Sequence, residues 1–272
     1  MISVGIDIGS TTTKMVILDK EQGILAQKLV ATGAVPGETA DELFRTLLDS
    51  VSLTPEQIAI VATTGYGRHL VDIGDSVMTE IKACAAGVQY ECMEAEPIRT
   101  IIDVGGQDTK VITLTGDGQI EDFSMNDKCA AGTGRFLEVL AQKLELSYDA
   151  FVEEALKSDT LLHMSSTCAV FAESEVVGLL ARGEAKADVA AGAHDAIAGR
   201  IASMIRRTGG SSRFAFVGGG SLNGALLRAM EEHLNAEVTV PASPQLVVAL
   251  GAAVVGAKKV EKRDASVSEG GG

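Results

Sequence analysis

The sequence predicts an α/β protein built from two lobes of similar topology. Strand and helix patterns alternate along the chain, and the pattern D-(I/V)-G-x-x-x-T-K occurs twice, as DIGSTTTK at 7–14 and DVGGQDTK at 103–110. The composition agrees, because 272 residues include 30 glycines and only 4% aromatic residues. This composition favours an α/β protein with close backbone approaches over an all-β sandwich. The length is sufficient for two lobes.

The first repeat begins with a predicted β-hairpin over 2–19. Apolar residues alternate on both sides of a polar turn, which places 9–12 at the hairpin tip. A third strand follows at 24–32. One apolar face predicts a helix over 39–50, and 59–63 returns as a buried strand.

The second repeat opens at Thr100 with another strand, turn and strand series that includes a GDG turn at 116–118. Apolar residues four apart then predict a helix over about 131–145, and a second helix follows at 170–180. The strand FAFV at 214–217 leads into a glycine-rich loop. This order matches the first repeat and supports a duplicated lobe.

The lobe boundary is predicted near residue 98, where CMEAEP resembles a linker. The apolar run at 246–257 is too short to cross a bilayer, so we expect a buried helix there that packs on the first lobe. The predicted domains are a first lobe at 1–98 plus 244–262, a second lobe at 99–243 and a disordered tail at 263–272.

The formal charge of −14 argues against nucleic acid as a partner, because the chain would repel a polyanion. The start of the sequence, MISVGIDIG, has neither a basic region nor a cleavage site, so we expect a first strand, a cytoplasmic protein and no membrane association. The four cysteines form no tight pairing motif. Cys84 and Cys92 are expected to pack inside a helix of small residues.

The repeated motif has the chemistry of a phosphate loop. Glycine after a strand lets a phosphate approach the backbone closely, while successive amides and hydroxyls donate to phosphate oxygens. The candidate nucleotide ligands are Gly9, Ser10, Thr11, Thr12, Thr13 and Lys14 in the first loop, and Gly105, Gly106, Gln107 and Asp108 in the second. A plain glycine turn would explain one copy of the motif, but two copies favour phosphate binding. No G-x-x-x-x-G-K-(S/T) sequence occurs, so this is not a P-loop protein.

Three side chains in these loops are candidate catalytic residues. Asp7 and Asp103 precede the glycines, where a carboxylate can hold a hydrated Mg²⁺ ion that bridges the phosphates. Gln107 is a candidate to orient the attacking water, with a structural hydrogen bond as the alternative.

The segment VGGGSLN at 217–223 follows a strand and precedes a predicted helix. Its glycines, Gly218, Gly219 and Gly220, allow an adenosine to lie against the backbone, and Asn223 is predicted to hydrogen-bond the nucleotide. The alternative is an ordinary strand-to-helix turn. A dinucleotide-binding fold is disfavoured because the segment lies late in the chain.

The order DIGSTTTK, DVGGQDTK, NDKCAAGTGRFLE, STCAVFAESEV and VGGGSLN resembles the 2-hydroxyacyl-CoA dehydratase activators over nearly the whole chain. That family is also similar to the ATPase subunits of benzoyl-CoA reductases and to reductases of double-cubane cluster proteins. The resemblance implies the actin-like ATPase fold of the sugar kinase, heat-shock chaperone and actin superfamily, with two lobes of duplicated ribonuclease-H-like topology. It also implies that the protein binds ATP and ADP.

The resemblance places Cys129 and Cys168 in the positions of metal ligands. Both precede predicted helices, whose N-termini favour the thiolate. A cubane cluster is usually held by four thiolates, so two per chain suggest a homodimer with one bridging 4Fe-4S cluster, as the family implies. Two buried structural cysteines, or a zinc site, remain alternatives.

The glycine-threonine turn at Gly132, Thr133 and Gly134 lies close to Cys129 in sequence. We hypothesise that it contacts the terminal phosphate, so that the nucleotide shifts the helices beside both cysteines. The family then implies one-electron transfer from ferredoxin or flavodoxin to an iron-sulfur dehydratase or a double-cubane cluster protein. A small-molecule kinase and a non-redox ATPase of the same fold are the alternatives.

Overall fold

The structure, a computed structural model, describes residues 1–92, 96–127, 133–160, 162–164 and 169–269. The chain divides into two compact units. Unit 1 comprises Met1–Ala95 and Gln245–Gly272, and unit 2 comprises Glu96–Pro244.

Unit 1 combines one mixed sheet with helices, and element labels follow the order along the whole chain. Its described elements are β1 (Ile2–Ile8), β2 (Thr12–Asp19), β3 (Gly23–Ala31), α1 (Pro36–Ser50), β4 (Ile58–Thr64), β5 (Ser76–Val77), α2 (Glu80–Glu91) and α8 (Val247–Glu269). The sheet order is β3-β2-β1-β4-β5. The first three strands form an antiparallel meander, whereas β4 is parallel to β1 and β5 is parallel to β4.

Alternation along β1 separates the two faces of this sheet. Val4, Ile6 and Ile8 are buried in one apolar cluster with Leu43 and Leu47 of α1. These leucines lie four residues apart on one helical face, and burying each contributes roughly 1.5–3 kcal/mol. The helix and the predicted hairpin therefore form one core.

Glycines allow α8 to cover the other face of the sheet at short range. A methyl group built on Gly5 of β1 would lie 1.9 Å from the carbonyl oxygen of Ala249. Helix α2 packs on α8 in the same way, because a methyl group on Gly251 would lie 1.7 Å from the Ala83 oxygen. Only glycine fits these contacts. Cys84 is buried within α2, in agreement with its predicted packing role.

Unit 2 repeats the arrangement with more helices. Its described elements are β6 (Thr100–Val104), β7 (Thr109–Leu114), β8 (Ile120–Asn126), α3 (Gly134–Lys143), α4 (Tyr148–Lys157), α5 (Ala169–Ala181), α6 (Lys186–Arg207), β9 (Phe214–Val217), α7 (Gly224–Leu234) and β10 (Val238–Thr239). Phe136 of α3, Phe151 of α4 and Phe216 of β9 are fully buried in its main apolar cluster.

The sheet of unit 2 has the same topology as the sheet of unit 1. Its order is β10-β9-β6-β7-β8, with an antiparallel meander of β6, β7 and β8, a strand β9 parallel to β6, and β10 parallel to β9. Each strand of unit 1 therefore has a counterpart in unit 2 whose number is five higher, so that β1 corresponds to β6. This duplication of a ribonuclease-H-like sheet is the actin-like ATPase fold, and it confirms the predicted fold class.

Three helices differ in extent from the sequence prediction by more than one residue, and the first is α1, which begins at Pro36 rather than at 39. Helix α3 begins at Gly134 rather than near 131. Helix α8 continues to Glu269, so the disordered tail predicted over 263–272 is wrong as far as that residue, and 270–272 lie outside the described residues. No glycine or proline interrupts the chain between 258 and 269, so nothing in the sequence ends the helix earlier. In the described part of the chain, no helix combines the length and apolarity needed to cross a membrane.

Candidate functional site

The first phosphate loop connects β1 and β2 in unit 1. Asp7 lies opposite Lys14 in the antiparallel register, and the Lys14 ammonium donates to the Asp7 carboxylate at 2.9 Å. Both side chains are largely buried. The amide of Gly9 donates to the Thr12 carbonyl at 3.1 Å, which closes the turn. Ser10, at the tip, is exposed and available to a ligand.

The threonines of this loop divide into two groups. Thr11 is exposed at the tip, and Thr12 is half-buried. Thr13 is fully buried, and its hydroxyl lies 3.0 Å from the hydroxyl of Thr32, which itself donates to the Gly9 carbonyl at 2.8 Å. Because Thr32 has one hydrogen to donate, Thr13 must be the donor between the two hydroxyls. The Thr13 hydroxyl thus supports the loop from inside, and its predicted contact with phosphate stays a prediction.

The second phosphate loop has the same frame in unit 2. Asp103 lies opposite Lys110, with 3.6 Å between ammonium and carboxylate, and the Gly105 amide donates to the Asp108 carbonyl at 2.9 Å. Lys110 also donates to the carboxylate of Asp108. The lysine is therefore shared by two carboxylates, while Gln107 is exposed at the tip.

A turn after the neighbouring parallel strand supports each loop. In unit 2, Gly218 adopts φ +80°, and a methyl group there would lie 2.5 Å from the Asp103 carboxylate. In unit 1, Gly65 adopts φ +90°, and a methyl group there would lie 2.5 Å from the Asp7 carboxylate. Each glycine thus fixes the position of the aspartate beside it. The sequence reasoning recognised Gly218 but missed Gly65, although TTGYG and FVGGG share a G-x-G spacing after a strand.

Helix α3 begins against the second loop. The amide of Gly134 donates to the Gly105 carbonyl, and the amide of Arg135 donates to the Gly106 carbonyl, both at 3.0 Å. Thr133 is fully buried at the helix start. The Gly134 amide therefore positions the second loop within unit 2, and the predicted contact of Gly134 with phosphate stays a prediction. Gly132 lies outside the described residues.

Asn223 has a structural role that differs from the predicted nucleotide contact. Its carbonyl oxygen accepts from the Leu226 amide at 2.9 Å and caps α7. Its amide group donates to the hydroxyl of Tyr148 and to the ring of His194, both at 3.0 Å. Both amide hydrogens of Asn223 are in use within unit 2, and its predicted hydrogen bond to a nucleotide stays a prediction. The backbone of Gly218, Gly219 and Gly220 remains a candidate adenosine surface.

The chemistry of the loops suits a hydrated magnesium ion. Asp7 and Asp103 are buried carboxylates at the carboxyl ends of strands, where one or two carboxylates and substrate phosphates are the usual Mg²⁺ ligands. Within the described ranges, no group of three or more His, Cys, Asp or Glu side chains could hold a metal ion by itself. A metal at these loops would therefore depend on the phosphates for its remaining ligands.

Comparison with known proteins places this site in a family. The sequence profile of the BadF/BadG/BcrA/BcrD ATPase family matches residues 4–256. The chain belongs to this ATPase family. The chain binds ATP and is an ATPase.

Three proteins illustrate how similar the relatives of this BadF/BadG/BcrA/BcrD ATPase are. The 2-hydroxyisocaproyl-CoA dehydratase activator of Clostridioides difficile is 40% identical over 255 residues, which cover 93% of this chain and 94% of that protein. The (R)-2-hydroxyglutaryl-CoA dehydratase activating ATPase of Acidaminococcus fermentans is 39% identical over 261 residues, or 96% and 98% of the two chains. The solved structure of an activator of 2-hydroxyisocaproyl-CoA dehydratase from Clostridium difficile with bound ADPNP has a TM-score of 0.87 and 38% identity, covering 98% of each chain.

The two predicted metal ligands of this BadF/BadG/BcrA/BcrD ATPase, Cys129 and Cys168, lie outside the described residues. Helix α5 begins at Ala169, the residue after Cys168. Cys84 and Cys92 are buried and lie on α2 or at its end. The two described cysteines, Cys84 and Cys92, belong to the core of unit 1.

Proposed function

We propose that this chain is an ATP-dependent reductive activase. It forms a homodimer with a bridging 4Fe-4S cluster and couples ATP hydrolysis to the transfer of one electron to an iron-sulfur partner. The observation that supports this most is the similarity, over more than nine-tenths of the chain, to proteins named as activators of CoA dehydratases. The acceptor is a 2-hydroxyacyl-CoA dehydratase or a double-cubane cluster protein, and the donor is ferredoxin or flavodoxin.

Nucleotide binding is assigned to three segments by this proposal. Asp7 and Asp103 would hold a hydrated Mg²⁺ ion, which would neutralise charge on the phosphates. The exposed tips of the two loops donate amides and hydroxyls to phosphate oxygens. The glycine backbone at 218–220 provides a surface for adenosine. The residues proposed to bind ATP or ADP directly are Gly9, Ser10, Thr11, Thr12, Gly105, Gly106, Gln107, Asp108, Gly218, Gly219 and Gly220.

Hydrolysis is assigned to the second loop. Gln107 is exposed at its tip, where an amide can orient a water molecule toward the terminal phosphate. The neighbouring Lys110 is held by carboxylates, so its charge is largely balanced inside the unit. Water attack on the phosphate yields ADP and inorganic phosphate.

The iron site is assigned to Cys129 and Cys168. Both cysteines precede predicted helices in the sequence, and helix N-termini favour thiolates in general. Two thiolates from each chain complete a set of four across a twofold axis. A 4Fe-4S cluster bound there supplies one-electron redox chemistry at low potential.

The experiment is anaerobic purification followed by iron, sulfide and molar-mass measurements. We expect about four iron atoms per dimer. Cys129→Ser and Cys168→Ser should each lose most of the iron. Cys92→Ser, at the end of α2, is the matched control and should retain it.

A colourless protein that takes up no iron during anaerobic reconstitution would contradict the redox proposal. An iron-free monomer that transfers phosphate to a small hydroxyl compound would support a kinase, and one that only hydrolyses ATP would support a non-redox ATPase. Iron that survives both cysteine substitutions would contradict the ligand assignment.

A further inference from the structure

One buried hydroxyl of unit 1 lies beside the first phosphate loop without a hydrogen-bond partner. The Thr64 side chain is 0% exposed, and its hydroxyl oxygen has no partner in the part of the chain that the structure describes. Burying such a group is unfavourable, because the hydrogen bonds that water gave it are not replaced. Other buried threonines do hydrogen-bond through their hydroxyls, namely Thr13, Thr32, Thr63, Thr100 and Thr113. The hydroxyl of Thr64 therefore requires an explanation of its own.

The corresponding position of unit 2 shows that the fold does not need this hydroxyl. Thr64 lies beside Asp7 in the parallel pairing of β4 with β1. Val217 lies beside Asp103 in the parallel pairing of β9 with β6, and it is also 0% exposed. Each of the two residues is followed by a glycine with positive φ. Valine and threonine differ chiefly in the hydroxyl, so a valine would fill the position in unit 1 without burying a polar atom.

Thr64 and Asp7 share one face of the unit 1 sheet, at the carboxyl ends of their strands. Ala62, two residues before Thr64 on β4, belongs to an apolar cluster with residues of α2 and α8. Gly5, two residues before Asp7 on β1, also contacts α8. Side chains alternate between the faces along a strand, so Thr64 and Asp7 both lie on the face toward these helices. Neighbouring strands are about 4.8 Å apart, so one water molecule can hydrogen-bond to both side chains.

We propose that the Thr64 hydroxyl belongs to the magnesium site of Asp7 and hydrogen-bonds to a water ligand of the ion. This inference rests on the proposed function, which assigns a hydrated Mg²⁺ ion to Asp7. A hydroxyl suits this role, because it accepts a hydrogen from one group and donates its own hydrogen to another. Rotation about the Cα–Cβ bond exchanges the hydroxyl with the methyl group, so the hydroxyl can turn toward a bound group without a backbone movement. Mg²⁺ keeps several waters in proteins, and contacts to those waters help to fix its position.

The test measures how much Mg²⁺ increases the affinity for ADP. Calorimetry of the whole chain with ADP, with and without Mg²⁺, gives this gain for each variant. Binding of Mg²⁺ by free ADP cancels in the comparison, because every variant is measured in the same buffers. Thr64→Val should reduce the gain about five-fold or more and leave the affinity without Mg²⁺ unchanged. Thr64→Ser keeps the hydroxyl and should retain the gain.

Urea denaturation without ligands provides a second readout. Thr64→Val removes a hydroxyl that has no partner, so its unfolding constant should be about five-fold or more below that of the wild type. Thr63→Val is the matched control, because Thr63 is equally buried but donates to the Arg68 carbonyl at 3.0 Å. This control should unfold more easily than the wild type and keep the gain from Mg²⁺.

Three results would overturn the inference. Easier unfolding of Thr64→Val would mean that the hydroxyl has a structural partner, and an undiminished gain from Mg²⁺ in that variant would remove the hydroxyl from the magnesium site. Equal losses of ADP affinity with and without Mg²⁺ would assign the hydroxyl to phosphate. Failure of the proposed function is distinguishable, because a wild-type ADP affinity that does not respond to Mg²⁺ would contradict the magnesium assignment together with this inference. A protein without iron would contradict only the redox role.

Discussion

The phosphate loops of the two units have the same backbone frame but different side chains. In both, an aspartate at the end of a strand faces a lysine across the hairpin, and the first loop glycine donates to the residue three positions later. Lys14 is paired with Asp7 in unit 1, whereas Lys110 is shared by Asp103 and Asp108 in unit 2. The two loops therefore share a backbone frame and differ in how their lysines are paired.

The differences between the loops are concentrated at their tips and at the supporting turns. Thr11 and Thr12 of the first loop correspond to Gln107 and Asp108 of the second. The supporting turn carries an exposed Tyr66 in unit 1 but only glycine between Gly218 and Gly220 in unit 2. This division suggests that the first loop mainly donates hydroxyl groups, while the second contains the groups that orient water.

The largest effect is expected from Gly218→Ala, which tests whether the supporting turn is essential. The position has φ +80° and ψ −179°, and a methyl group would lie 2.6 Å from the Val104 carbonyl oxygen. We expect a loss of about 3 kcal/mol or more in the free energy of unfolding, measured by urea denaturation. Gly209→Ala is the matched control, since Gly209 has φ +67° with no atom within 4 Å, and it should cost about 1–2 kcal/mol. Equal losses would refute the role of the close contact.

Gln107→Ala tests whether hydrolysis belongs to the second loop. Loss of the amide should lower kcat for ATP on the order of 100-fold without weakening nucleotide affinity, because only the attacking water loses its partner. Thr11→Ala, at the corresponding position of the first loop, should mainly weaken affinity. Steady-state kinetics and calorimetry separate these results, and equal kcat losses in both variants would remove the distinction between the loops.

Substitution of the aspartates should reveal how each lysine is neutralised. Asp7→Asn leaves the mostly buried Lys14 without its carboxylate, and we expect a loss of about 2 kcal/mol, moderated by the partial exposure of Lys14. Asp103→Asn should cost less than about 1 kcal/mol, because Asp108 still accepts from Lys110. The double variant Asp103→Asn with Asp108→Asn should exceed the sum of the two single losses. Additive losses in urea denaturation would contradict the shared lysine.

A pH dependence is expected from unit 2, where the Asn223 side chain contacts the buried His194. The pKa of His194 falls from 6.5 to about 4 on folding, so between these values the unfolded chain binds more protons than the folded chain. The stabilisation is complete above pH 6.5 and is lost as the pH falls toward 4, by on the order of 1 kcal/mol at pH 5.5. Urea denaturation of His194→Gln should lack this part of the pH dependence. An identical pH profile for the variant would disprove the assignment.

The smallest effect is expected from Tyr66→Ala in the turn of unit 1. The side chain is 81% exposed, so its removal should change the free energy of unfolding by less than about 0.5 kcal/mol. Because the Tyr66 side chain makes so few contacts at this exposure, any larger loss of stability would be informative. A loss above about 1 kcal/mol would mean that the two supporting turns differ in stability as well as in side chains.

The duplicated fold was predictable because its signals are local. Each hairpin alternates around a polar turn, and the motif around Asp7 and Asp103 repeats with its glycine and lysine in register. The turn at Gly65 was missed because one side chain, Tyr66, interrupts the glycine run that identified Gly218. Its role depends on the parallel pairing of β4 with β1, which joins residues distant in sequence.

The detailed roles of several site residues could not be read from the sequence. Thr13, Gly134 and Asn223 each have groups that can bind a nucleotide, but the fold supplies partners for those groups. Such partners, including Thr32 and Tyr148, lie far away along the chain. Tertiary hydrogen bonding therefore decides whether a polar group in a glycine-rich loop contacts the ligand or supports the loop.

The contact between Gly5 and the Ala249 carbonyl also has a consequence for biosynthesis. Translation delivers β1 before unit 2, and the helix that covers the Gly5 face of the first sheet only after unit 2. Until that helix is made, Val16 and Leu18, which pack on it, remain uncovered. Unit 1 can therefore bury this face of its sheet only after all of unit 2 has been synthesised.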